Sequence, residues 1–444
     1  AYSKSLPIIP IPSMLSLAFG LREYEPQQGM LLSHGEKIFF QTFKWKNNLP
    51  FLNKEICFGN FNNYLLGRVM NGIEVMGQKY YSSAAYARAT YEFDKAKTIV
   101  SFEADFLGNW LDTGHGRKYS QLRDPGKNMS KHYQFESLLS LTGSNADKRV
   151  PVNPAEQLNY LLYIFSKISS SGKFSEIKNK NHKSILDNIC EELLASKGKS
   201  LVISGSSEVE HQVIVNAINY LLDNYSNTIN YNNRSNLYSS VNSEFEDLIE
   251  DIKNNKVGTI IINDLNIAYN YPSIISLLDL VPTKVIMSDS HNETTALMDY
   301  VCPKSHYLES WGDANPYSSV YCIQQPTINP LFDSRQVEQN LLNWIESNAS
   351  YYDFLKSFYK SLGYKKSWNK ILHDGFCSID YKKNNLIFSS QEALNILNNF
   401  NFINTSPDDV YLSLYSKTSM GDGYQSNNPW LQELPDPISK VTWD

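Results

Sequence analysis

From about residue 90 onward, the chain alternates short apolar runs with amphipathic segments. Runs of β-branched and other apolar residues predict buried strands, at residues 97–102, 201–203, 257–262, 283–287 and 410–415. Apolar residues at helical spacing predict helices, at residues 155–168, 184–195, 208–222, 245–253, 293–300, 335–346 and 351–362. A further helix is predicted to open at Tyr271 and Pro272, because proline suits the first helical turn.

This alternation of strands and helices is typical of α/β proteins with parallel, doubly wound sheets. Because 444 residues exceed one ordinary core, we predict a multi-domain, Rossmann-like architecture. The predicted parts are an N-terminal segment at 1–90, a first α/β region at 91–200, a Rossmann-like domain at 201–350, and a C-terminal α/β segment and linker at 351–444. Pro7, Pro10 and Pro12 interrupt the first part, which we expect not to be contiguous in the natural protein.

Composition and charge exclude some classes of function. The net charge is −6 at pH 7 without a dense basic stripe, which argues against nucleic-acid binding. The nearest basic cluster, formed by Lys178, Lys180 and Lys183, is explained by a solvated helix start. No apolar run reaches the roughly 20 residues of a membrane-spanning helix. We therefore expect a chain that is soluble or peripheral to a membrane.

The five cysteines are scattered along the chain, at Cys57, Cys190, Cys302, Cys322 and Cys377. Iron–sulfur clusters and structural zinc sites need thiolates at short spacings, and no such spacing is present. A Cys302–Cys322 disulfide stays open for an oxidising compartment, whereas isolated buried thiols are the favoured interpretation.

Two loops carry candidate chemistry. The first is the turn formed by Ser204, Gly205, Ser206 and Ser207, between a predicted strand and a predicted helix. Such a turn can present N–H groups to a phosphate, with Ser207 as the helix N-cap. Because neither the dinucleotide-binding nor the P-loop glycine pattern is present, a plain turn is favoured.

The second loop holds Glu103, Asp105 and Asp112, directly after the predicted strand that ends at residue 102. Ligands of open α/β sheets bind at this end of the strands, where two carboxylates could perform acid–base chemistry. The favoured alternative is that these side chains cap the following element.

Histidines give weaker signals. His306 and Glu309 stand three residues apart and could share a metal on a helix. The flanking Pro303 and Gly312 favour a strand or loop instead. His115 and His132 flank a loop with glycine and arginine, and their spacing assembles no catalytic arrangement.

Several stretches together resemble one family. They are residues 101–110 (SFEADFLGNW), 129–136 (MSKHYQFE), 142–151 (TGSNADKRVP), 198–205 (GKSLVISG), 307–313 (YLESWGD), 325–333 (QPTINPLFD), 421–423 (GDG) and 428–437 (NPWLQELPDP). In combination, over residues 90–444, they resemble the large iron–sulfur subunit of alternative complex III, in the molybdopterin oxidoreductase superfamily.

The resemblance implies a subunit of a membrane-associated respiratory quinol:cytochrome c or quinol:oxidase oxidoreductase. It implies [4Fe–4S] and [3Fe–4S] clusters in a ferredoxin-like domain that follows a segment like residues 434–444. The implied partners are c-type cytochrome subunits, polytopic quinol-binding membrane subunits and small lipoprotein-like subunits. The implied location is peripheral, on the periplasmic side of the bacterial inner membrane. Trp430 and Trp443 are then candidate interface anchors, with core packing as the alternative.

The sequence departs from active members of the superfamily. It lacks their N-terminal cysteine motif for a [4Fe–4S] cluster and the motif that supplies the metal ligand. We therefore assign no catalytic, cofactor-binding or metal-binding residues and expect molybdopterin to be absent. One alternative is an active molybdenum or tungsten bis-pterin oxidoreductase of a small inorganic substrate, with a ligand among Cys302, Cys322, Ser204 and Asp105. Another is a soluble α/β binding protein.

Overall fold

The computed structural model describes residues 41–44, 55–59, 88–378, 391–400 and 428–442, and four positions between 411 and 420. Gaps within the long range are residues 109, 112–113, 127, 171–176, 207, 226, 236–241, 345 and 365. The predictions for most of residues 1–87, for the strand at 410–415, and for Asp112 and Trp443 therefore lie outside the described residues. Within the described part, no helix has both the length and the apolar character needed to cross a bilayer.

The strands of the described residues are numbered in chain order. They are β1 (Gln41–Lys44), β2 (Glu55–Gly59), β3 (Arg88–Tyr91), β4 (Thr98–Phe102), β5 (Lys131–Glu136), β6 (Lys148–Pro151), β7 (Ser200–Ser204), β8 (Ile229–Ser235), β9 (Val257–Asn263), β10 (Thr283–Ser288), β11 (Tyr300–Pro303), β12 (Gly312–Tyr317), β13 (Val320–Gln324) and β14 (Phe376–Ser378).

The α-helices of the same residues are numbered likewise. They are α1 (Gly114–Ser120), α2 (Leu141–Ser144), α3 (Gln157–Ser169), α4 (Lys180–Ala195), α5 (Val209–Leu221), α6 (Asn242–Lys253), α7 (Ile267–Asn270), α8 (Ile275–Leu278), α9 (Val337–Trp344), α10 (Tyr351–Ser361), α11 (Trp368–Asp374), α12 (Gln391–Asn399) and α13 (Pro429–Gln432). Short 3-10 helices include Thr295–Leu297 and Tyr307–Glu309.

The chain divides into two compact units. Unit 1 holds Arg234–Lys382 together with β1 and β2, and unit 2 holds Ala89–Asn233 together with the described part of Lys383–Asp444. This division differs from the boundary predicted at residue 200, because β7 pairs with β4 along its whole length. The strand at 200–204 therefore belongs to the same sheet as the first α/β region.

The sheet of unit 2 has four parallel strands in the order β6-β5-β4-β7. Every residue of β4 and of β7 is buried, as expected for parallel strands that are covered on both faces. From β4 the chain adds β5 and then β6 on one side, and β7 on the other side. The connections therefore change direction at β4.

Helices α3 and α5 pack against each other in the core of unit 2, and α12 packs against α5. Residues 157–166 of α3 and 211–219 of α5 are buried without a break, so these stretches are enclosed on all sides. Leu161, Ile164 and Phe165 of α3, with Ile214 and Ile218 of α5, are completely buried. Each such side chain stabilises the fold by roughly 1.5–3 kcal/mol.

Unit 1 contains a sheet in the order β1-β2-β9-β10-β11, in which only the β1–β2 pairing is antiparallel among the described strands. Alternate residues of β9 face opposite sides, because the side-chain period of a strand is two. Ile260 and Ile262 join the core formed with α6 and α8, whereas Ile261 joins the core formed with α9 and α10. A separate antiparallel ladder joins β12, β13 and β14.

Two local predictions were wrong. The helix predicted at 293–300 is a single 3-10 turn, Thr295–Leu297, followed by β11. The reason is parallel pairing of Tyr300–Pro303 with β10, which overrides the weak helical spacing. The N-cap of α5 was predicted to be Ser207. The structure has Glu208 as the N-cap, without a side-chain cap bond, and the helix begins at Val209.

Candidate functional site

The carboxyl edge of the unit 2 sheet is the candidate site, because the strand order reverses between β4 and β7. Ligands of open α/β sheets bind outside the carboxyl ends of strands at such a point. Two of the loops predicted to carry chemistry lie here, one after β4 and one after β7.

Backbone contact fills the space between these two loops. Gly205 donates its N–H to the carbonyl oxygen of Phe102 at 2.7 Å. A Cβ atom on Gly205 would lie 2.3 Å from the carbonyl oxygen of Glu103, closer than real Cβ atoms come to backbone. Glu103 itself has a positive φ of 52°. The glycine is therefore required by close approach of the two strand ends.

The turn after β7 uses its own N–H groups internally. Ser206 donates its N–H to Oγ of Ser204, and Glu208 donates its N–H to Oγ of Ser206, each at 3.2 Å. Gln212 of α5 donates its amide to the carbonyl oxygens of Ser204 at 3.1 Å and Ser206 at 2.7 Å. The described part of this turn thus favours a plain turn over a phosphate cradle.

The two described carboxylates of the loop after β4 also have structural partners. Oε1 of Glu103 accepts hydrogen bonds from the hydroxyl of Ser137 at 2.7 Å and its N–H at 3.3 Å. Oδ1 of Asp105 accepts the N–H of Thr142 at 2.9 Å, and Oγ1 of Thr142 accepts the N–H of Leu107 at 2.9 Å. These bonds join the loop after β4 to Ser137 and to α2, which lie further along the chain than α1, the following element that the alternative expected these side chains to cap.

Sequence reasoning missed a third carboxylate at this edge, Glu136, the last residue of β5. Its side chain is 2% exposed and pairs with Nε of Arg149 at 2.6 Å. The hydroxyl of Ser140 donates to Oε2 at 2.6 Å, and the amide of Gln134 donates to the same atom at 3.1 Å. Polar residues at alternate positions of 132–136 were the signal, since alternate strand residues share a face.

The same face of β5 continues to His132. Its Nε2 lies 3.3 Å from Oε1 of Gln134, and its Nδ1 lies 3.1 Å from the hydroxyl of Tyr119. Because the amide oxygen of Gln134 can only accept, Nε2 carries the hydrogen of the neutral ring. Burial lowers the pKa of His132 to about 4. A neutral, hydrogen-bonded histidine in the core is a packing element rather than a proton-transfer group at neutral pH.

The other histidines that were considered as candidates, His115 and His306, lie away from this face of β5. His115 is 4% exposed in α1 and contacts the rings of Tyr91, Phe93 and Trp110. In unit 1, His306 is the N-cap of the 3-10 helix Tyr307–Glu309.

The three-residue spacing of His306 and Glu309 therefore forms a capping box at the start of this 3-10 helix. Oε2 of Glu309 accepts the N–H of His306 at 3.1 Å, and Oε1 accepts the N–H of Leu331 at the same distance. Nδ1 of His306 accepts the N–H of Leu308 at 3.3 Å. Among the residues the structure describes, no group of three or more His, Cys, Asp or Glu side chains is placed to hold a metal ion.

Four cysteines are described with side chains, and all four are thiols rather than halves of a disulfide: Cys190, Cys302, Cys322 and Cys377. The disulfide alternative for Cys302 and Cys322 is therefore wrong in this structure. The interpretation as buried thiols holds for Cys302, whereas Cys322 is only partly buried. Burial raises the pKa of Cys190 to about 12 and also raises the pKa of Cys322. These thiols are protonated at neutral pH, whereas metal ligation needs the thiolate.

No protein-family model matches this chain, and no curated protein matches it. Its structure is similar to that of acetylene hydratase from Pelobacter acetylenicus, with a TM-score of 0.50 and 10% sequence identity. The similarity covers 72% of this chain and 56% of the acetylene hydratase chain, so this chain spans little more than half of that structure. At this identity the likeness concerns the fold alone.

The predicted fold class is confirmed by this likeness together with the parallel sheets. The described turn after β7 does not fit a phosphate-bearing pterin group, because its N–H groups at Gly205, Ser206 and Glu208 are already bonded. The chain is a multi-domain α/β protein with Rossmann-like parallel sheets and a fold similar to that of acetylene hydratase.

Proposed function

We propose that this chain is a scaffold subunit of a membrane-associated respiratory quinol:cytochrome c or quinol:oxidase oxidoreductase, of the alternative complex III type that its sequence resembles. The molybdopterin-type fold supports electron transfer without an active site of its own. Molybdopterin is absent in this proposal, and [4Fe–4S] and [3Fe–4S] clusters lie in a following ferredoxin-like domain.

The proposed partners are c-type cytochrome subunits, polytopic quinol-binding subunits and small lipoprotein-like subunits. The proposed location is the periplasmic side of the bacterial inner membrane. Trp430 in α13 supports an interface role, because its side chain is 81% exposed. Exposed aromatic residues of this size are frequent anchors in protein interfaces.

One observation carries the scaffold role. At the described carboxyl edge of the unit 2 sheet, the carboxylates of Glu103, Asp105 and Glu136 all bind groups of the chain itself. A catalytic carboxylate needs to reach the substrate's proton, directly or through one water. Side chains that already tie loops and strands together serve architecture, which is what a degenerate active-site region retains.

The rival function is an active molybdenum or tungsten bis-pterin oxidoreductase acting on a small inorganic substrate. Each of the four residues considered as its metal ligand has a burial, protonation state or hydrogen bond that disfavours metal binding. Cys302 is 2% exposed in the core of unit 1, and Cys322 is a protonated thiol. Oγ of Ser204 accepts the N–H of Ser206, and Oδ1 of Asp105 accepts the N–H of Thr142. We therefore favour the scaffold.

Isolation from native membranes tests this proposal. An affinity-tagged chain would be extracted with mild detergent, and its partners identified by haem staining and mass spectrometry. Co-purification with c-type haem and polytopic subunits is the expected result, and a tagged soluble α/β enzyme from the same host is the control. Recovery from the soluble fraction, without haem or membrane proteins, would contradict the proposal and favour a soluble binding protein.

A further inference from the structure

Unit 1 presents exposed apolar side chains on two short segments. One is the 3-10 helix Tyr307–Glu309, and the other is residues 327–332, which follow β13. An isolated exposed leucine needs no explanation, whereas a group of large apolar side chains on one surface does. We define the apolar patch as the five large exposed side chains of the two segments: Tyr307, Leu308, Ile328, Leu331 and Phe332.

Hydrogen bonds hold the two segments side by side. The N–H groups of Thr327 and Ile328 donate to the carbonyl oxygen of Leu308 at 2.7 Å and 3.1 Å. The N–H of Leu331 donates to Oε1 of Glu309 at 3.1 Å. Because these bonds fix both segments in advance, a partner that binds the apolar patch orders little further backbone, and the entropic cost of association is low.

The exposed area of the apolar patch is that of an interface rather than of scattered surface residues. Phe332 is 82% exposed, Leu331 is 69% exposed and Tyr307 is 62% exposed. Since a large side chain offers about 150–250 Å², the patch presents roughly 500 Å² of apolar surface. A stable interface covers about 800 Å² on each partner, of which about 60% is apolar. The patch therefore supplies the apolar area that each side of a stable dimer needs.

The absence of charge in this part of the chain favours a second copy as the occupant. No Asp, Glu, Lys, Arg or His stands between Asp313 and Asp333, although charged residues make up 19% of the chain. Glu309 is the only carboxylate in the two segments, and both of its oxygens accept backbone N–H groups. Two copies with a net charge of −6 repel each other, and a two-fold contact brings identical groups together. An uncharged patch avoids this repulsion.

We propose that the apolar patch is the contact surface of a homodimer, in which the patch of one copy packs against the patch of the other. The contact is isologous, so each residue of the patch contributes twice. Phe332 and Leu331 are its anchors, because they lose the most exposed surface when the patch is covered. The dimer is a property of unit 1 and is independent of the proposed respiratory role.

Sedimentation of the purified full chain over a range of concentrations tests the dimer. The wild-type protein should shift reversibly from the chain mass to twice that mass as its concentration rises. Phe332→Glu places a carboxylate of each copy in the contact, so the dissociation constant should increase roughly 30-fold or more, the effect of losing an interface hot spot. Because the side chain is exposed, the substitution should leave the circular dichroism spectrum unchanged.

Tyr269→Glu is the matched control for this substitution. Tyr269 lies in α7 of unit 1, is 49% exposed and is outside the apolar patch, so the variant gains the same charge without weakening the dimer. A wild-type protein that stays monomeric at every concentration would overturn the proposal. Equal weakening of the dimer by Phe332→Glu and Tyr269→Glu would also overturn it, because the effect would then come from net charge alone.

Hydrogen exchange at high and low protein concentration locates the contact. Peptides that cover residues 305–310 and 326–334 should gain protection as the dimer forms, and peptides from β9 and β10 should not. Protection confined to other residues would overturn the proposal. Two other occupants would overturn it as well. They are a phosphatidylcholine vesicle that binds the monomer but not Phe332→Glu, and a different subunit of the native assembly that crosslinks to a photoreactive phenylalanine at position 332.

Discussion

Arg149 donates Nε–H to Oε1 of Glu136 across 2.6 Å, and this ion pair joins β6 to the end of β5. Glu136 is almost fully enclosed, whereas the side chain of Arg149 is 26% exposed. Removing Arg149 therefore leaves a buried carboxylate, whereas removing Glu136 leaves a partly exposed guanidinium group.

Removing the arginine is expected to destabilise unit 2 strongly. Arg149→Met leaves a buried carboxylate without its cation, which costs about 3–5 kcal/mol. Glu136→Gln leaves a cation that water can reach, so its effect should be smaller. Denaturant unfolding measures both, with Lys197→Met as the control, because the Lys197–Asp223 pair is exposed. Equal effects of Arg149→Met and Lys197→Met would contradict the buried pair.

A methyl group at Gly205 should disrupt the edge between β4 and β7. Gly205→Ala places Cβ against the backbone of Glu103, so the strand ends must separate. We expect a loss of about 1–3 kcal/mol, the range for overpacking of a well-packed core. Gly116→Ala is the control, because its Cβ would meet only Leu107 at an ordinary 3.7 Å within α1. Thermal unfolding should separate the two, and an unchanged Gly205→Ala protein would show that the loops do not touch.

Acid should weaken unit 2 through its buried histidines. Burial lowers the pKa of both His132 and His211 to about 4, whereas an unfolded histidine titrates near 6.5. Between these values the unfolded state binds protons that the folded state does not. The free energy of unfolding therefore falls as pH drops from about 6.5 to 4, by up to about 3 kcal/mol for each histidine.

Exchange of deeply protected amides in α3 and α5 measures this dependence. His211→Asn should reduce it by about half, because His132 still contributes. His373→Asn should leave it unchanged, because the side chain of His373 is 79% exposed. An acid response that is unchanged in His211→Asn would contradict the assignment to that histidine.

Trp430 provides a test of the interface role. If its exposed ring anchors a partner subunit, Trp430→Ala should weaken assembly by about 2 kcal/mol or more, the size of an interface hot spot. The measurement is the amount of c-type haem recovered per tagged chain. Tyr269→Ala is the matched control, because Tyr269 is also exposed, at 49%. Unchanged haem recovery for Trp430→Ala would remove this residue from the interface.

The local pattern of apolar and polar residues was sufficient to predict many of the helices and strands. The helices at 184–195 and 351–362 and the strands at 257–262 and 283–287 follow from apolar periodicity, and the structure contains them within a few residues. The strand β5 was missed because Gln134 and Glu136 occupy buried positions where apolar residues are expected. Their burial depends on partners that periodicity does not show.

The candidate site was less predictable because its contacts are long-range. Asp105 and Thr142 are 37 residues apart, and Glu103 and Ser137 are 34 residues apart. Sequence placed Glu103 and Asp105 after a strand but could not show that loop N–H groups occupy their oxygens. Spacing likewise suggested a metal pair at His306 and Glu309, where the same spacing makes a capping box.

The most direct test of the scaffold role is elemental analysis of the purified native assembly for molybdenum, tungsten and iron, with pterin fluorescence after oxidation. The scaffold proposal predicts iron without molybdenum, tungsten or pterin. About one molybdenum or tungsten per chain, together with pterin, would contradict it and would establish the rival bis-pterin oxidoreductase.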